Sequence, residues 1–384
     1  MFSSRMSNLH PYIPGEQPHD RVYIKLNANE NPYPPAKEVV AALQDFLLKN
    51  PKALSLYPDP DSNSLRTAIA DMLNKTGGVL CRSEVLPDGK MCRPSEKDAI
   101  PFEVTKDMIY CGNGSDEVLS FLFYAFFDSD KTLVLPEHTY SFYPVYAGFY
   151  NIPFETVSLH GDWTLDTDSL LKRASENDSG VIFANPNAPT AIGISREKIR
   201  ALLTVFDPNK VFVVDEAYCD FGGESSISLL SEFKNLVIVR TFSKSLCGAG
   251  MRLGYLVANP EVIHAITTVK NSLNHFPVDA VTQVAGIAAS QNPAYYIDCA
   301  KKIVCERDSF TRFLRERGWI LTDSQTNFVF ARHPTISGSE VYRKIKEEGI
   351  LVRHFDTKGI EDYIRITIGS YEEMTALKMA IEKW

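Results

Sequence analysis

Short apolar runs alternate with amphipathic stretches through the middle of the chain. Five runs of strand length lie between residues 108 and 243, and the first three each precede a stretch with helical spacing. Continuously apolar strands separated by helices predict a mostly parallel sheet covered on both faces. The runs are MIYCG (108–112), TLVLP (132–136), GVIFANP (180–186), VFVVDEAY (211–218) and LVIVRTFS (236–243). Ligands of such sheets bind at the carboxyl ends of the strands, so residues that follow the runs are the candidates for function.

The flanking segments have a different character. EVVAALQDFLLKN (38–50) and SLRTAIADMLNKT (64–76) have helical spacing, and Ser64 is a candidate N-cap of the second helix. Residues 77–104 are rich in Gly, Pro and charge, which predicts a surface excursion with a hairpin at 87–90. The last third begins with a helical stretch at 292–317 and continues with short strands and two helices, which resembles a compact α+β module.

The expected architecture is therefore α/β, with a second, smaller unit. We predict a large domain at 36–270 and a small domain formed by residues 1–35 together with 271–384. A chain of 384 residues is long enough for both.

Composition and charge narrow the class of partner. Hydrophobic residues make up 44% and charged residues 23%, as in ordinary globular proteins, and the formal net charge of −8 offers no basic surface for nucleic acid. No apolar run approaches the roughly 20 residues that cross a bilayer, and the polar N-terminal segment lacks the apolar core of a signal peptide. The seven cysteines form no CxxC pair and have no metal-ligand spacing. These features predict a cytoplasmic protein with reduced thiols, no metal site, no membrane contact and a small-molecule partner.

A candidate phosphate site follows the first run. In YCGNGSDEVL (110–119), two glycines permit a tight turn, and the backbone N–H groups of Gly114, Ser115 and Asp116 open the next helix. Free N–H groups at a helix N-terminus bind phosphate, although Ser and Asp there are equally typical of an ordinary capped helix. The segment matches neither a Walker A loop nor a dinucleotide fingerprint.

Two other strand ends carry polar residues. Asp215 and Glu216 end an apolar run, with Tyr218 close behind; a carboxylate buried there needs a cationic partner, a metal or a protonated ring nitrogen to stay ionised. A helix cap is the structural alternative for Asp215. The NPNAPT segment (185–190) either aims its amides at a ligand or forms a simple turn.

Lys244 stands among small hydroxyl residues in TFSKSLCGAGMRLGY (241–255). Thr241, Ser243 and Arg252 offer hydroxyls and a fork-shaped cation to a phosphate, while the lysine amine can reach a carbonyl carbon of the same ligand. A phosphate cradle, a strand-end aspartate and a lysine able to form a Schiff base together indicate pyridoxal phosphate.

These motifs resemble the fold-type-I aminotransferases, and within them the histidinol-phosphate aminotransferase family, over nearly the whole chain. The resemblance implies a mostly parallel seven-stranded sheet sandwiched by helices, plus a smaller α+β domain. The matching segments are LNANENPY (26–33), YPDPDSNSLR (57–66), GNGSDE (112–117), HTYSFY (138–143), NPNAPT (185–190), DEAY (215–218), TFSKSLCGAGMRLGY (241–255) and YIRITIG (363–369).

The resemblance implies the roles of the cofactor-binding residues. Lys244 resembles the lysine that holds pyridoxal phosphate covalently and later moves the proton at the substrate Cα. Asp215 resembles the partner of the pyridine N–H, which makes the ring an electron sink. Tyr218 resembles the phenol that hydrogen-bonds the ring oxygen, and Tyr140 the aromatic residue that stacks on the ring. The implied phosphate ligands are Gly114, Ser115, Asp116, Thr241, Ser243 and Arg252, with Tyr57 from the other subunit of a homodimer.

The implied substrate site lies in the last third and at the N-terminus. Arg365 resembles the arginine that clamps the substrate carboxylate, for which a bidentate guanidinium is suited. Arg353, Tyr12 and Asn29 are expected near the distal end of the substrate, with a solvated arginine as the alternative for Arg353.

The NPNAPTA segment departs from the family pattern NPNNPTG. Ala188 replaces the asparagine expected to bond the ring 3-oxygen, and Ala191 replaces a glycine. Asn187 and Asn185 are both candidates to take over that bond, and we include Asn187 among the expected cofactor contacts.

The implied reaction is amino transfer in two half-reactions, from an amino donor to the cofactor and from the cofactor to a 2-oxo acid. The expected pair is histidinol phosphate with 2-oxoglutarate, which gives imidazole acetol phosphate and glutamate in histidine biosynthesis. An aromatic amino acid aminotransferase is the first alternative. A threonine-phosphate decarboxylase-like enzyme shares most of the motifs, and a cofactor-binding regulator without turnover is a further alternative that Ala188 suggests.

Overall fold

The computed structural model describes residues 2–3, 6, 9–13, 15–81 and 99–383. The predicted hairpin at 87–90 and most of the 77–104 excursion lie outside these residues. Within them, no helix is both long and apolar enough to cross a lipid bilayer.

A seven-stranded sheet forms the centre of the molecule. Its spatial order is β2-β8-β7-β6-β5-β3-β4, and β8 alone runs antiparallel to its two neighbours, β2 and β7. The strands are β2 (Ile109–Asn113), β3 (Leu133–Pro136), β4 (Phe154–Val157), β5 (Val181–Ala184), β6 (Phe212–Asp215), β7 (Leu236–Thr241) and β8 (Leu253–Ala258). The predicted mostly parallel sheet is confirmed.

Helices cover both faces of this sheet because successive strand residues point in opposite directions. In β6, Phe212 and Val214 belong to the core on one face, and Val213 to the core on the other. The helices on the first face are α1 (Lys37–Lys49), α2 (Asn63–Thr76), α5 (Thr167–Glu176), α6 (Arg196–Val205) and α8 (Ala280–Ser290); those on the second are α3 (Gly114–Phe126), α4 (Phe142–Phe149) and α7 (Pro260–Leu273).

The last third of the chain builds a second core around a four-stranded antiparallel sheet of order β12-β13-β10-β9. The N-terminal segment joins it, because β1 (Ile24–Lys25) pairs in parallel with β11 (Ile350–Leu351). The remaining elements are α9 (Pro293–Glu316), β9 (Ile320–Leu321), β10 (Phe328–Arg332), α10 (Gly338–Glu347), β12 (Arg353–His354), β13 (Ile364–Thr367) and α11 (Tyr371–Ile381).

Two sequence expectations need adjustment. The second helix begins at Asn63, and Ser64 lies inside its first turn, so the prediction of Ser64 as N-cap is wrong. The proposed domain division stays a prediction. Ala285 and Ala288 of α8 belong to a core of the large sheet, which favours moving the later boundary from residue 270 to the start of α9.

Candidate active site

The site lies at the edge of the large sheet where the parallel strands end. Asp215 ends β6, Thr241 ends β7, and Gly114 follows β2. Since β8 is antiparallel, its first residue lies at the same edge, and Arg252 directly precedes it. Strand direction therefore brings together residues from distant parts of the sequence. Gly114 and Arg252 are 138 positions apart.

Two adjoining cavities open at this edge, and Lys244 lines both. The first, of about 350 Å³, is here called the inner cavity and is lined by strand-end residues of the large sheet. The second, of about 390 Å³, is called the outer cavity and extends towards the small sheet and the N-terminal segment. The residues common to both are Ala28, Tyr140, Ala188, Tyr218 and Lys244.

Asp215 lies buried at one side of the inner cavity, with 4% of its surface exposed. The Tyr143 hydroxyl donates to its Oδ2 at 2.8 Å, and the Ala217 backbone N–H donates to its Oδ1 at 3.1 Å. Burial raises the pKa of Asp215 from its ordinary 3.8 to about 6, and the charges of Asp116 and Glu216 add to the rise, whereas those two hydrogen bonds oppose it. Within the described residues it forms no ion pair, so the geometry favours a cationic ligand group beside it.

Cationic and hydroxyl groups gather at another part of the inner cavity. Arg252 and Asp116 form an ion pair at 2.8 Å, and the Tyr140 hydroxyl donates to the other Asp116 oxygen at 2.9 Å. Gly114 begins α3 with φ +76, a backbone conformation that favours glycine, and a Cβ there would lie 2.6 Å from the Arg252 Nη2 and displace that guanidinium. Ser115, Thr241 and Ser243 also line this cavity.

Lys244 is fixed by the N-terminal segment. Its carbonyl accepts from the Asn31 side chain at 2.9 Å, and its Nζ donates to the Ala28 carbonyl at 3.3 Å. The Nζ also lies 5.6 Å from the centre of the Tyr218 ring. The amine thus stands between the two cavities, where it can reach a ligand in either.

The Tyr218 hydroxyl is held by a chain of polar contacts. The Asn29 amide donates to it at 2.9 Å, and the Thr367 hydroxyl donates to the Asn29 carbonyl oxygen at 3.1 Å. Asn29 also lines the outer cavity, but both ends of its side chain are engaged. The predicted substrate contact at Asn29 therefore remains a prediction, and the structure gives it a positioning role towards Tyr218.

The outer cavity carries two arginines on adjacent strands. Arg353 of β12 and Arg365 of β13 are directly opposite in the register, and neither forms an ion pair with a described residue. Arg353 donates to the Ile13 carbonyl at 3.4 Å and Arg365 to the Asn27 carbonyl at 3.3 Å. The Arg365 Nε is buried without a hydrogen-bond partner, and burial lowers the pKa of this guanidinium from its ordinary value. Like charges at directly opposed positions are unfavourable, so the pair is suited to bind an anion.

The outer cavity wall also carries aromatic residues. Tyr12, which the sequence predicts near the substrate, lines it and packs on Phe142 with ring centres 4.6 Å apart. Tyr140 and Phe355 line it as well.

Asn187 faces away from both cavities. Its amide nitrogen donates to the His138 carbonyl at 2.8 Å and to the Thr190 hydroxyl at 3.0 Å, and its oxygen accepts from the Thr139 hydroxyl at 3.1 Å. The loop thus already uses the hydrogen-bonding groups of Asn187, and its contact with the cofactor stays a prediction.

Asn185 is engaged in the same way, since its side chain bonds both backbone groups of Ile194. Ala188 lines both cavities, whereas Asn185 and Asn187 line neither. Tyr218 lines both cavities beside Ala188, and its predicted bond to the ring oxygen stays a prediction.

Tyr57 lines neither cavity of its own chain. Its side chain is 83% exposed and stacks on Phe276, with ring centres 4.6 Å apart and an angle of 16° between the rings. A contribution of Tyr57 to the site of another subunit remains a prediction.

Sequence reasoning missed residues that act behind the site. Tyr143, which bonds Asp215, reads in the sequence as one more apolar residue of a helix start.

Arg240 is buried with 3% exposure and pairs with Glu216 at 2.9 Å and with Asp220 at 3.4 Å. The Ser245 hydroxyl donates to Asp220 at 2.6 Å, which links this buried cluster to the residue beside Lys244. A charged residue in a continuously apolar run is the signal that could have revealed Arg240.

The profile of the family described as Aminotransferase class I and II matches residues 21–381. The chain belongs to this family. This aminotransferase is 43% identical to the histidinol-phosphate aminotransferase of Syntrophus aciditrophicus (strain SB), over 98% of this chain and 96% of that protein. It is 40% identical to the histidinol-phosphate aminotransferase of Chromohalobacter salexigens, over 99% of this chain and 98% of that protein.

Solved structures agree on the fold. The crystal structure of histidinol-phosphate aminotransferase from Sinorhizobium meliloti in complex with pyridoxal-5'-phosphate matches the aminotransferase with a TM-score of 0.81 and 23% identity, covering 100% of this chain and 96% of that one. A Thermus thermophilus aspartate aminotransferase mutant gives a TM-score of 0.76 at 18% identity, covering 100% of this chain and 98% of that one. The fold-type-I architecture is confirmed.

Pyridoxal phosphate is the cofactor of this aminotransferase, and the inner cavity fits it. The buried Asp215 suits a protonated ring nitrogen, Arg252 and the hydroxyls of Thr241 and Ser243 suit the phosphate, and Lys244 lies within the same cavity. A volume of about 350 Å³ lies within the range of small-molecule sites.

Proposed function

We propose that this aminotransferase transfers the amine between histidinol phosphate and 2-oxoglutarate, giving imidazole acetol phosphate and glutamate, as a step of histidine biosynthesis. The opposed pair Arg353 and Arg365 carries the proposal, because both guanidinium groups line the outer cavity and lack carboxylate partners among the described residues. The similarity to histidinol-phosphate aminotransferases over nearly the full chain supports the same substrate.

Each half-reaction requires an anion at this pair. Histidinol phosphate has no carboxylate, and its phosphate is the group that two guanidiniums bind best. Glutamate offers carboxylates to the same arginines in the other half-reaction. Arg353 and Arg365, here called the cationic wall, can therefore bind both substrates, whose only common functional group is the amine.

The residues of the inner cavity are assigned to the cofactor. Bound pyridoxal phosphate supplies a ring that withdraws electrons from the substrate Cα. In our proposal Asp215 keeps the ring nitrogen protonated, Tyr218 hydrogen-bonds the ring oxygen, and Tyr140 packs against the ring. Lys244 holds the cofactor covalently and then moves the proton at Cα.

The phosphate of the cofactor is assigned to one cluster of donors at the edge of the large sheet. Arg252 provides the charge, and the helix N-terminus at Gly114 provides backbone N–H groups. The assigned ligands are Gly114, Ser115, Asp116, Thr241, Ser243 and Arg252.

We also propose a homodimer in which Tyr57 completes the phosphate site of the partner subunit. Tyr57 lies on an exposed apolar surface with Leu54, Leu56 and Leu273, each at least 67% exposed, and an apolar surface of this kind favours subunit contact. Analytical ultracentrifugation distinguishes a dimer from a monomer. We further propose a cytoplasmic location, which the absence of disulfides among the six described cysteines supports.

A second candidate is an aromatic amino acid aminotransferase. The aromatic wall of Tyr12, Tyr140 and Phe355 favours it, because a phenyl ring would pack there without any polar partner.

A half-reaction titration separates the two. Purified enzyme that carries the cofactor on Lys244 is mixed with histidinol phosphate in one series and with phenylalanine in another, and the loss of the visible band is followed. We expect half-maximal loss at a concentration at least about tenfold lower for histidinol phosphate, because charge-assisted hydrogen bonds contribute about 1.5–3 kcal/mol each. Histidinol without the phosphate is the control and should need a much higher concentration than histidinol phosphate, because it brings no anion to the arginines. A lower requirement for phenylalanine would reject our assignment in favour of the aromatic enzyme.

A further inference from the structure

His138 is a buried polar side chain of the outer cavity that the proposed chemistry does not use. It follows β3 at the site edge of the large sheet, and only 9% of its surface is exposed. Its carbonyl accepts from the Asn187 amide at 2.8 Å, which fixes the backbone from which the ring projects.

The imidazole has packing neighbours but no hydrogen-bond partner within the described part of the chain. The Trp163 ring centre lies 5.8 Å away at an angle of 58°. Gly359, at φ +92, lies so close that a Cβ there would be 3.3 Å from the His138 Nε2. A side chain at residue 359 would therefore crowd the ring, and glycine leaves it room.

Neither ring nitrogen of His138 is fully buried, so solvent reaches them through the outer cavity. A ligand that fills the cavity displaces this solvent and must itself supply a hydrogen-bonding group, or the imidazole is left unsatisfied. Its surroundings indicate what kind of ligand does so. The outer cavity wall includes Tyr12, Tyr140, Phe355 and Ile360 as well as polar side chains such as Glu137 and Ser141, so a flat ring can pack against the aromatic part while the imidazole offers it a directional contact.

We propose that His138 is a specificity-determining residue that hydrogen-bonds a ring nitrogen of the substrate, so that the outer cavity selects a nitrogen-containing heteroaromatic ring over a phenyl ring. A neutral imidazole has one donor and one acceptor nitrogen, and the imidazole of histidinol phosphate has the same complement. The inference rests on the proposed function and deepens it, because it assigns the end of the substrate that the two arginines do not bind.

The proposed hydrogen bond of His138 acts mainly by disfavouring substrates that lack a ring nitrogen. A pocket that provides a hydrogen-bonding group discriminates strongly against an analogue that lacks the partner, because the group of the pocket is then left buried and unsatisfied. Phenylalanine would fit the aromatic wall and still leave His138 without a partner. Glutamate has no ring, so its half-reaction is expected to be indifferent to His138.

The test compares His138→Leu, which keeps a similar bulk without polar atoms, with His138→Gln, which keeps a donor and an acceptor. The half-reaction kcat/KM is measured with histidinol phosphate, phenylalanine and glutamate. We expect His138→Leu to lose about 10- to 100-fold with histidinol phosphate, which is the fold-change for one lost buried hydrogen bond. Glutamate should change less than about twofold, phenylalanine should be unchanged or improved, and His138→Gln should recover part of the loss.

Binding gives a second measurement that does not depend on turnover. Imidazole acetol phosphate cannot receive an amine from the pyridoxal form of the enzyme, so its Kd is measured there by calorimetry. We expect the Kd to rise about 10- to 100-fold in His138→Leu.

The outcomes separate the inference from the function on which it rests. A loss with histidinol phosphate below about threefold, or an equal loss with all three donors, overturns the role of His138 while the proposed function stands. Wild-type enzyme that reacts with glutamate but not with histidinol phosphate overturns the proposed function, and the ring-nitrogen contact with it.

Discussion

Removing the charge of Asp215 should stabilise the cofactor-free aminotransferase. The folded-state pKa of Asp215 is raised from 3.8 to about 6, chiefly by burial. A carboxyl whose pKa is raised on folding contributes stability below its unfolded pKa, and that contribution is lost as pH rises through the folded pKa. Stability of the cofactor-free protein should therefore fall between about pH 4 and pH 6 and then level off.

The size of the effect follows from the two pKa values. At about 1.4 kcal/mol per pKa unit, the ionised carboxylate destabilises the fold by about 3 kcal/mol at pH 7.5 and by about 1 kcal/mol at pH 4.5. Unfolding 384 residues at about 2.1 cal/mol/K each gives an entropy of about 0.8 kcal/mol/K. Asp215→Asn should then raise the Tm of the cofactor-free protein by about 4 °C at pH 7.5 and by about 1 °C at pH 4.5.

Asparagine at position 215 can keep one hydrogen bond to each of two neighbours, Ala217 and Tyr143. Its second amide N–H and the Tyr143 O–H lose an acceptor, a cost that does not vary with pH and leaves the pH dependence of the Tm difference intact. Its carbonyl oxygen can accept from the Ala217 N–H, and the Tyr143 hydroxyl can rotate to accept from its amide. With the cofactor bound the sign should reverse, because a protonated ring nitrogen needs the carboxylate, and turnover should fall by orders of magnitude.

The assay is thermal unfolding of wild type and variant, each stripped of cofactor, from pH 4.5 to pH 7.5. Tyr143→Phe is the matched control, since losing its hydrogen bond should raise the pKa of Asp215 further and shift the stability loss to higher pH. A Tm difference between wild type and Asp215→Asn that stays constant over this pH range would refute the reasoning.

Two predictions concern the ends of the site. Lys244→Ala should still bind the cofactor, because Arg252 and Asp215 remain. It should lack the visible band of the covalent form and lose essentially all turnover. Measurable turnover with a normal spectrum would show that Lys244 does not have the proposed role. Arg353→Ala should lower kcat/KM for histidinol phosphate by about 10- to 100-fold and for phenylalanine by less than about threefold. Substitution of the exposed Arg343 (Arg343→Ala) is the control and should change neither value. Equal losses for both donors would exclude phosphate binding at Arg353.

The sequence was sufficient for those parts of the fold that depend on local pattern. The apolar runs at 132–136, 180–186, 211–218 and 236–243 contain β3, β5, β6 and β7, because a strand buried on both faces leaves a continuous apolar signature. The same logic predicted that Asp215 and Lys244 meet at one edge of the sheet. The antiparallel β8 was not predicted, and yet its direction is what brings Arg252 to that edge.

Orientation of side chains was the part that sequence could not supply. Asn187 and Ala188 are neighbours in one loop, and only the backbone path decides which of them faces the cavity. Tyr143 acts through Asp215, a partner distant in the sequence, and no local pattern marks it. Arg240 acts through the distant Glu216, and its only local mark is a charge within an apolar run.

If Arg353 and Arg365 bind the substrate as we propose, their placement favours amino transfer over decarboxylation. Which bond at Cα breaks depends on how the substrate is turned relative to the cofactor ring, and an anion held at Arg353 and Arg365 fixes that rotation from outside the inner cavity. Histidinol phosphate has no carboxylate to lose, so its phosphate at the arginines leaves the Cα proton as the group that Lys244 can remove. In the proposed roles the carboxylate on the glutamate Cα binds at Arg365, where the guanidinium stabilises it in its ionised form and opposes its loss as neutral carbon dioxide. The cationic wall therefore acts on reaction type as well as on substrate choice.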